Sequence, residues 1–158
     1  MRKKAVLSPV LSLAAIALVG TYLAWSFDLS AIPDPGRFET SVANGAKNLL
    51  VHREARTSSL KEPPITQNDL DNAQNVFGSE CAACHGNDGR TPTEMGLGLY
   101  PRAPDLGSEE VQHWSDPEMF WIIRNGIRLT GMPAFGKQLT DQETWSLVHY
   151  LRTLRPPK

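Results

Sequence analysis

The chain's only two cysteines stand three positions apart and a histidine directly follows the second, in the run Cys81-Ala82-Ala83-Cys84-His85. Two cysteines cannot build a framework of several disulfides, nor a four-cysteine zinc or iron–sulfur site. Residues at i and i+3 lie on one face of a helical turn, so a helix here presents two thiols side by side with an imidazole beyond them. Any fold for this chain has to give that turn a purpose.

The second constraint is at the N-terminus. Residues 5 to 27 carry no charge and are mostly Ala, Val, Leu and Ile. As a helix, this run rises about 34 Å, enough to span the roughly 30 Å hydrocarbon core of a bilayer with some tilt. It closes on Tyr22, Trp25 and Phe27, which suit a membrane–water interface and make a poor signal-peptide cleavage site. Residues 1–27 are therefore read as a basic start followed by an uncleaved transmembrane signal anchor, with Pro9 tolerated near its beginning. Arg2, Lys3 and Lys4 predict that this end stays in the cytoplasm. The expected location is a single pass of the bacterial cytoplasmic membrane, with the remaining chain on the periplasmic side. Without those three cations, residues 28–158 hold 13 basic against 17 acidic residues. There is no basic stripe to displace counterions from phosphates, which argues against a nucleic-acid partner.

Residues 28–67 read as a linker, a tether with one helix that packs loosely on the domain. Pro33, Pro35 and Gly36 open it and Pro63 and Pro64 close it, while Val42, Ala46, Leu49 and Leu50 have the spacing of a short amphipathic helix. His52 has no Cys or carboxylate constellation around it and reads as a surface histidine. In residues 68–158 three helices are expected. The first is capped by Thr66 and runs to Ser79 with Leu70, Ala73, Val76 and Phe77 on one face. The second covers Asp116–Asn125, with Pro117 in its first turn and Gly126 at its end. The third follows the capping box of Thr140 and Glu143 and runs to Leu154 with Trp145, Leu147, Val148, Tyr150 and Leu151 on its stripe, stopped by Pro156. No segment alternates with period two, so the fold class is all-α. Residues 86–115 form a loop broken by five glycines and by Pro92, Pro101 and Pro104, and a loop this long is usually functional. Three short helices around it bury too little apolar surface, and something other than protein is needed to complete the core.

C-x-x-C-H supplies it, being the attachment signature of c-type haem. The two thiols add across two vinyl groups, and the adjacent histidine becomes the proximal iron ligand. The competing readings are a thioredoxin-like redox pair, which needs a βαβ context that is absent here, and a structural disulfide; neither explains His85. The cofactor expected is one haem c, covalent through Cys81 and Cys84. Met132, in Gly131-Met132-Pro133-Ala134-Phe135-Gly136, is the best second axial ligand, because an irregular Gly- and Pro-flanked loop lets backbone approach a flat group closely. Its main rival is Met95. Met119, His113 and His149 suit packing or surface roles better.

These motifs resemble those of the class I c-type cytochromes, specifically the membrane-anchored single-haem members, over roughly residues 68 to 155. The resemblance implies a fold of short helices and long loops around one haem, with the first and last helices crossing. Ala73 and Phe77 match the small and aromatic positions of the first helix and are expected to meet Leu147 and Tyr150. The usual small residue is glycine, so Ala73 implies a slightly wider contact. The resemblance also implies a proline carbonyl that accepts a hydrogen bond from the proximal histidine; Pro104 matches it, with Pro101 as the alternative. Tyr100, Arg102, Arg124 and Arg128 are candidates to satisfy the haem propionates, and Trp121 and Phe135 to wall the pocket.

Iron ligated by both His85 and Met132 has no open site, so one-electron transfer is the expected function rather than catalysis. The chain then acts as a membrane-tethered carrier, or as an electron-transfer subunit of a respiratory or dehydrogenase complex, with redox partner proteins at the membrane surface. The alternative is a haem enzyme or a gas or redox sensor with a labile sixth ligand.

Overall fold

The computed structural model describes residues 9–26, 28, 30–57 and 61–155, and among these all regular structure is helical. The chain divides into two compact units, Met1–Ser30 and Ala31–Lys158.

The first unit holds α1 (Pro9–Ser26), which begins on the proline, where a missing N–H costs no helical bond. It has no charged residue, and Leu11, Leu13, Ile16, Leu18, Val19 and Leu23 are all exposed. Its 18 residues rise about 27 Å. Among the described residues no helix is long and apolar enough to cross a membrane. The expected transmembrane run over 5–27 includes residues 5–8 and 27, which lie outside the described residues, as do Arg2, Lys3 and Lys4.

The second unit contains α2 (Arg37–Thr57), α3 (Gln67–Val76), a π turn (Phe77–Cys81), α4 (Ala82–His85), α5 (Glu94–Leu97), α6 (Glu109–Gln112), α7 (Asp116–Asn125) and α8 (Asp141–Thr153). The three helices expected in the core domain form close to their expected bounds because each carries its own stop and start signals. Thr66 and Asp69 make a capping box for α3, and Thr140 and Glu143 make one for α8. At α7 the Glu118 carboxylate accepts from both the amide and the hydroxyl of Ser115, and Gly126 ends the helix with φ 65°. Leu154 and Arg155 leave α8, while Pro156 lies outside the described residues.

Packing is centred where α3 meets α8. Ala73, Phe77, Leu147, Val148 and Leu151 share one buried cluster with Phe120, Ile123 and Trp145. Phe77 lies against Tyr150 with ring centroids 5.3 Å apart, and Phe120 of α7 against Trp145 of α8 at 4.7 Å. The long loop is tied to α8 by polar side chains. Buried Gln112 donates to the carbonyls of Leu106 and Leu151, and Arg152 donates to the carbonyls of Gln112 and Trp114 while pairing with Asp116.

The caps set a pH dependence. The Thr140 amide and hydroxyl hold Glu143 below the ordinary glutamate value of 4.5, and the Thr66 hydroxyl and amide hold Asp69 below 3.8. Because both folded values are depressed, this stabilisation is complete at pH above the unfolded values and is lost as the carboxylates protonate. Thermal stability followed by circular dichroism should therefore decline as pH drops below 4.5, and less steeply in a Glu143→Gln, Asp69→Asn variant.

The linker differs from expectation. Its helix has 21 residues rather than a few, and Val42, Ala46, Leu49 and Leu50 are exposed while Val51 and Ala55 are buried. The helix has two apolar faces, and its polar neighbours select between them. Lys47 lies 5.8 Å from the Trp114 ring centroid and 4.0 Å from Glu110, and His52 Nδ1 meets Glu118 at 2.8 Å. His52 is exposed, as read from the sequence, and in addition meets Glu118 of α7. Farther along, His149 Nε2 meets Glu62 at 2.7 Å, and Gln142 donates to the Pro64 carbonyl. Residues 31–57 and 61–67 therefore pack as part of the second unit.

Candidate haem site

α3 continues through the π turn into α4 without leaving right-handed helical conformation, the Ala82 amide bonding back five residues to the Phe77 carbonyl. The widened turn adds a residue to the ladder, so Phe77 stays in the core while Cys81, Cys84 and His85 emerge half-buried. The two cysteines are not joined in a disulfide. Burial, aided by Glu80 and Cys84, raises the Cys81 thiol to about 11. That is the reverse of the depressed value a dithiol redox pair requires. Among the described residues no three or more His, Cys, Asp or Glu side chains converge to hold a metal. The donor set instead fits haem c: two thiols at i and i+3 for thioether bonds, and an imidazole next to them.

His85 Nδ1 donates to the Pro104 carbonyl at 3.1 Å, which leaves Nε2 free of that hydrogen bond. Burial lowers the His85 pKa below 6.5, with the Pro104 carbonyl opposing, so the ring is held neutral with a lone pair available. The carbonyl engaged is that of Pro104, not Pro101.

Sequence reasoning missed two residues that hold this turn in place. Thr93 donates its amide to the Cys84 carbonyl at 3.0 Å and its hydroxyl to the Ala83 carbonyl at 2.6 Å, satisfying acceptors that the end of α4 leaves open. Gly96 in α5 packs on the same backbone: a Cβ there would lie 2.1 Å from the Cys84 carbonyl oxygen. The local signal, a Thr cap three residues before a Gly, marks a turn but not its target. Gly96→Ala should cost about 1–3 kcal/mol by overpacking a contact that only backbone movement can relieve, read as a lower denaturant midpoint of the haem-loaded protein.

Met132 lies in the loop after α7. Ile127 donates to its carbonyl, its amide donates to Thr130 Oγ1, and the Phe135 and Gly136 amides bond to the Ile123 and Arg124 carbonyls. Its side chain is half-buried at the edge of the core cluster, and neighbouring Gly131 lies against Leu99, between α5 and Pro104. By contrast Met95 is 63% exposed and Met119 is buried among α7 and α8 residues. His113 is exposed, and His149 faces Glu62.

The polar candidates are drawn elsewhere. Tyr100 donates its hydroxyl to Glu39 at 2.7 Å, Arg102 pairs with Asp34 at 2.9 Å, and Arg124 pairs with Asp141 at the start of α8. Arg128 is exposed and has no ion pair among the described residues. Trp121 is half-buried on α7, and Phe135 lies within the core cluster.

Known proteins resemble this chain over residues 68–151 and their surroundings. A family model described as cytochrome C oxidase, cbb3-type, subunit III matches residues 68–151. Cytochrome c6 of Pyropia tenera is 29% identical over 85 residues, 52% of this chain and 89% of that protein. The solved c-type cytochrome KustC0563 is 29% identical, with 53% of this chain and 98% of that one covered, at a TM-score of 0.48. A chain of the Kuenenia stuttgartiensis reducing HAO-like protein complex Kustc0457/Kustc0458 is 23% identical at a TM-score of 0.51, with 61% of this chain and 48% of that one covered, and shares the fold. Because the family match takes in more than half of the chain, including both the Cys81–His85 turn and the Met132 loop, the chain belongs to the c-type cytochrome family described as cytochrome c oxidase, cbb3-type, subunit III, and haem-based electron transfer is its chemistry.

Proposed function

We propose that this chain is a membrane-tethered one-electron carrier with a single covalent haem c ligated by His85 and Met132. The observation that carries the reading is the His85 Nδ1–Pro104 hydrogen bond, which fixes the ring and would leave Nε2 to ligate the iron of a bound haem. Haem c, when bound, supplies reversible exchange of one electron between ferrous and ferric iron. The chain's own residues do the rest. Cys81 and Cys84 hold the ring, and Thr93 and Gly96 hold the turn that carries them. Met132 gives a soft thioether on a loop tied to the end of α7, favouring the reduced state relative to a second histidine. Two protein donors leave no coordination position for substrate.

The uncharged run that includes α1 supports an anchor, and the cations before it support a haem domain on the periplasmic side of the cytoplasmic membrane. The family's description as a subunit of a cytochrome c oxidase supports an electron-transfer subunit of a membrane complex, and the match to cytochrome c6 supports a carrier. Of the polar candidates for the propionates, Tyr100, Arg102 and Arg124 are engaged by Glu39, Asp34 and Asp141, and Arg128 has no acid partner among the described residues.

The test uses the intact protein purified from membranes. A sulfur-to-iron charge-transfer band in the ferric state, slow carbon monoxide binding to the ferrous state, and a mass equal to the full chain plus one haem are expected. Fast carbon monoxide binding without the band would replace this reading by the gas-binding or sensor alternative. Extraction and size analysis separate a lone carrier from a complex subunit.

A further inference from the structure

We propose that α2 is an interfacial helix whose outward face lies on the lipid surface, so that the haem domain rests on the bilayer rather than moving freely on its tether. The helix docks with Val51 and Ala55 buried, His52 meeting Glu118 of α7, and Lys47 meeting Glu110 of α6 and Trp114 before α7. On the opposite side Phe38, Val42 and Leu49 are 84%, 55% and 69% exposed, at spacings of four and seven that align them in one stripe with Gly45 between. Leu50 borders it. Arg53 borders the same line four residues beyond Leu49, whereas His52 and Arg56, three and seven beyond it, lie against Ser115, Pro117 and Glu118 at the start of α7. Glu39 and Glu54 fall to the side of the stripe, and Glu39 accepts from Tyr100 while Glu54 pairs with Arg53. An apolar face with arginine at one end and no acid within it matches an anionic lipid interface, where side chains enter the acyl boundary and guanidinium groups reach the headgroups.

Chain length favours the same occupant. Ten residues, 27–36, join the end of α1 to the start of α2. Fully extended they reach at most about 34 Å, and Pro33 and Pro35 stiffen them. A helix so close to an anchored segment meets the membrane at high effective concentration. A second copy of this chain fits less well: Phe38, Val42 and Leu49 offer roughly 400 Å² if fully buried, about half of the surface per partner in a stable protein interface.

The inference rests on the anchor proposed for residues 5–27, and the experiment reads the two separately. Nitroxide labels are placed by Leu18→Cys in α1, Leu49→Cys on the stripe and Lys137→Cys on the exposed loop before α8, in the full haem-loaded chain in vesicles of phosphatidylcholine and phosphatidylglycerol. Collision with oxygen, which concentrates in lipid, is compared with collision with a water-soluble nickel chelate. Protection of positions 18 and 49 from nickel, with 137 accessible, is the expected result. Additionally, Arg53→Gln should reduce protection at 49 and leave 18 unchanged. Position 49 accessible to nickel while 18 is protected overturns the interfacial helix and keeps the anchor. Position 18 accessible while 49 is protected overturns the anchor and keeps α2 as a peripheral contact; both accessible overturns both. Spin–spin broadening at 49 that disappears on dilution with unlabelled protein overturns the lipid occupant in favour of a second copy.

Discussion

A chain carrying Cys81→Ala and Cys84→Ala is expected to contain no covalent haem and to lose its cooperative thermal unfolding. The protein core is the cluster shared by α3, α7 and α8, while Cys81, Cys84, His85 and Met132 are only half-buried. The segment from Gly86 to Ser115 contains two single-turn helices and relies on contacts such as Thr93 to Ala83 and His85 to Pro104. Releasing the α4 turn removes what those contacts converge on, from a domain whose total stability is about 5–15 kcal/mol. Ala83→Ser is the control, because Ala83 is exposed and sits between the thiols without sharing their face. Mass spectrometry should find haem on the control and none on the double variant, and near-ultraviolet circular dichroism should retain fixed aromatic signals only in the control. Fixed tertiary signals in the haem-free double variant would mean that the helical cluster is sufficient by itself.

Met132→Ala separates ligation from folding. Covalent haem and helix content should be retained, since Met132 packs only at the edge of the cluster and its loop is held by backbone bonds to Ile123 and Arg124. The sulfur-to-iron band should disappear, carbon monoxide should bind the ferrous form quickly, and the reduction potential should fall by on the order of 0.1 V, part of the roughly 0.8 V that axial ligands control. Met95→Ala should change none of these, because Met95 is exposed on α5. If the band instead survives loss of Met132 and disappears with Met95, the second ligand is Met95 and the loop after α7 has another role.

The parts of this protein legible in its sequence are those whose information is local. Pro117 and Gly126 bound α7, and the Thr66 cap and the Thr140–Glu143 capping box start α3 and α8, because a cap acts within one turn of itself. The C-x-x-C-H turn was equally legible, since its chemistry needs five consecutive residues. The docking face of α2 was not. Val42, Ala46, Leu49 and Leu50 have sound amphipathic spacing, yet the face that docks is set by Glu110, Trp114 and Glu118, some 60 residues away. The same holds for Tyr100 and Arg102, which pair with Glu39 and Asp34 across a similar distance in sequence.

By itself the sequence determined the C-x-x-C-H turn, the helix ends, the all-helical class and the uncharged N-terminal run, because each follows from motifs or periodicities spanning a few residues. Only the tertiary structure decided that Pro104 orients His85, that Thr93 and Gly96 hold the Cys84 backbone, and that residues 31–57 pack with the haem domain. A hydrogen-bond acceptor or a docking face is chosen by which groups are brought within about 3 Å of each other, and for residues tens of positions apart that is settled by how the whole chain packs.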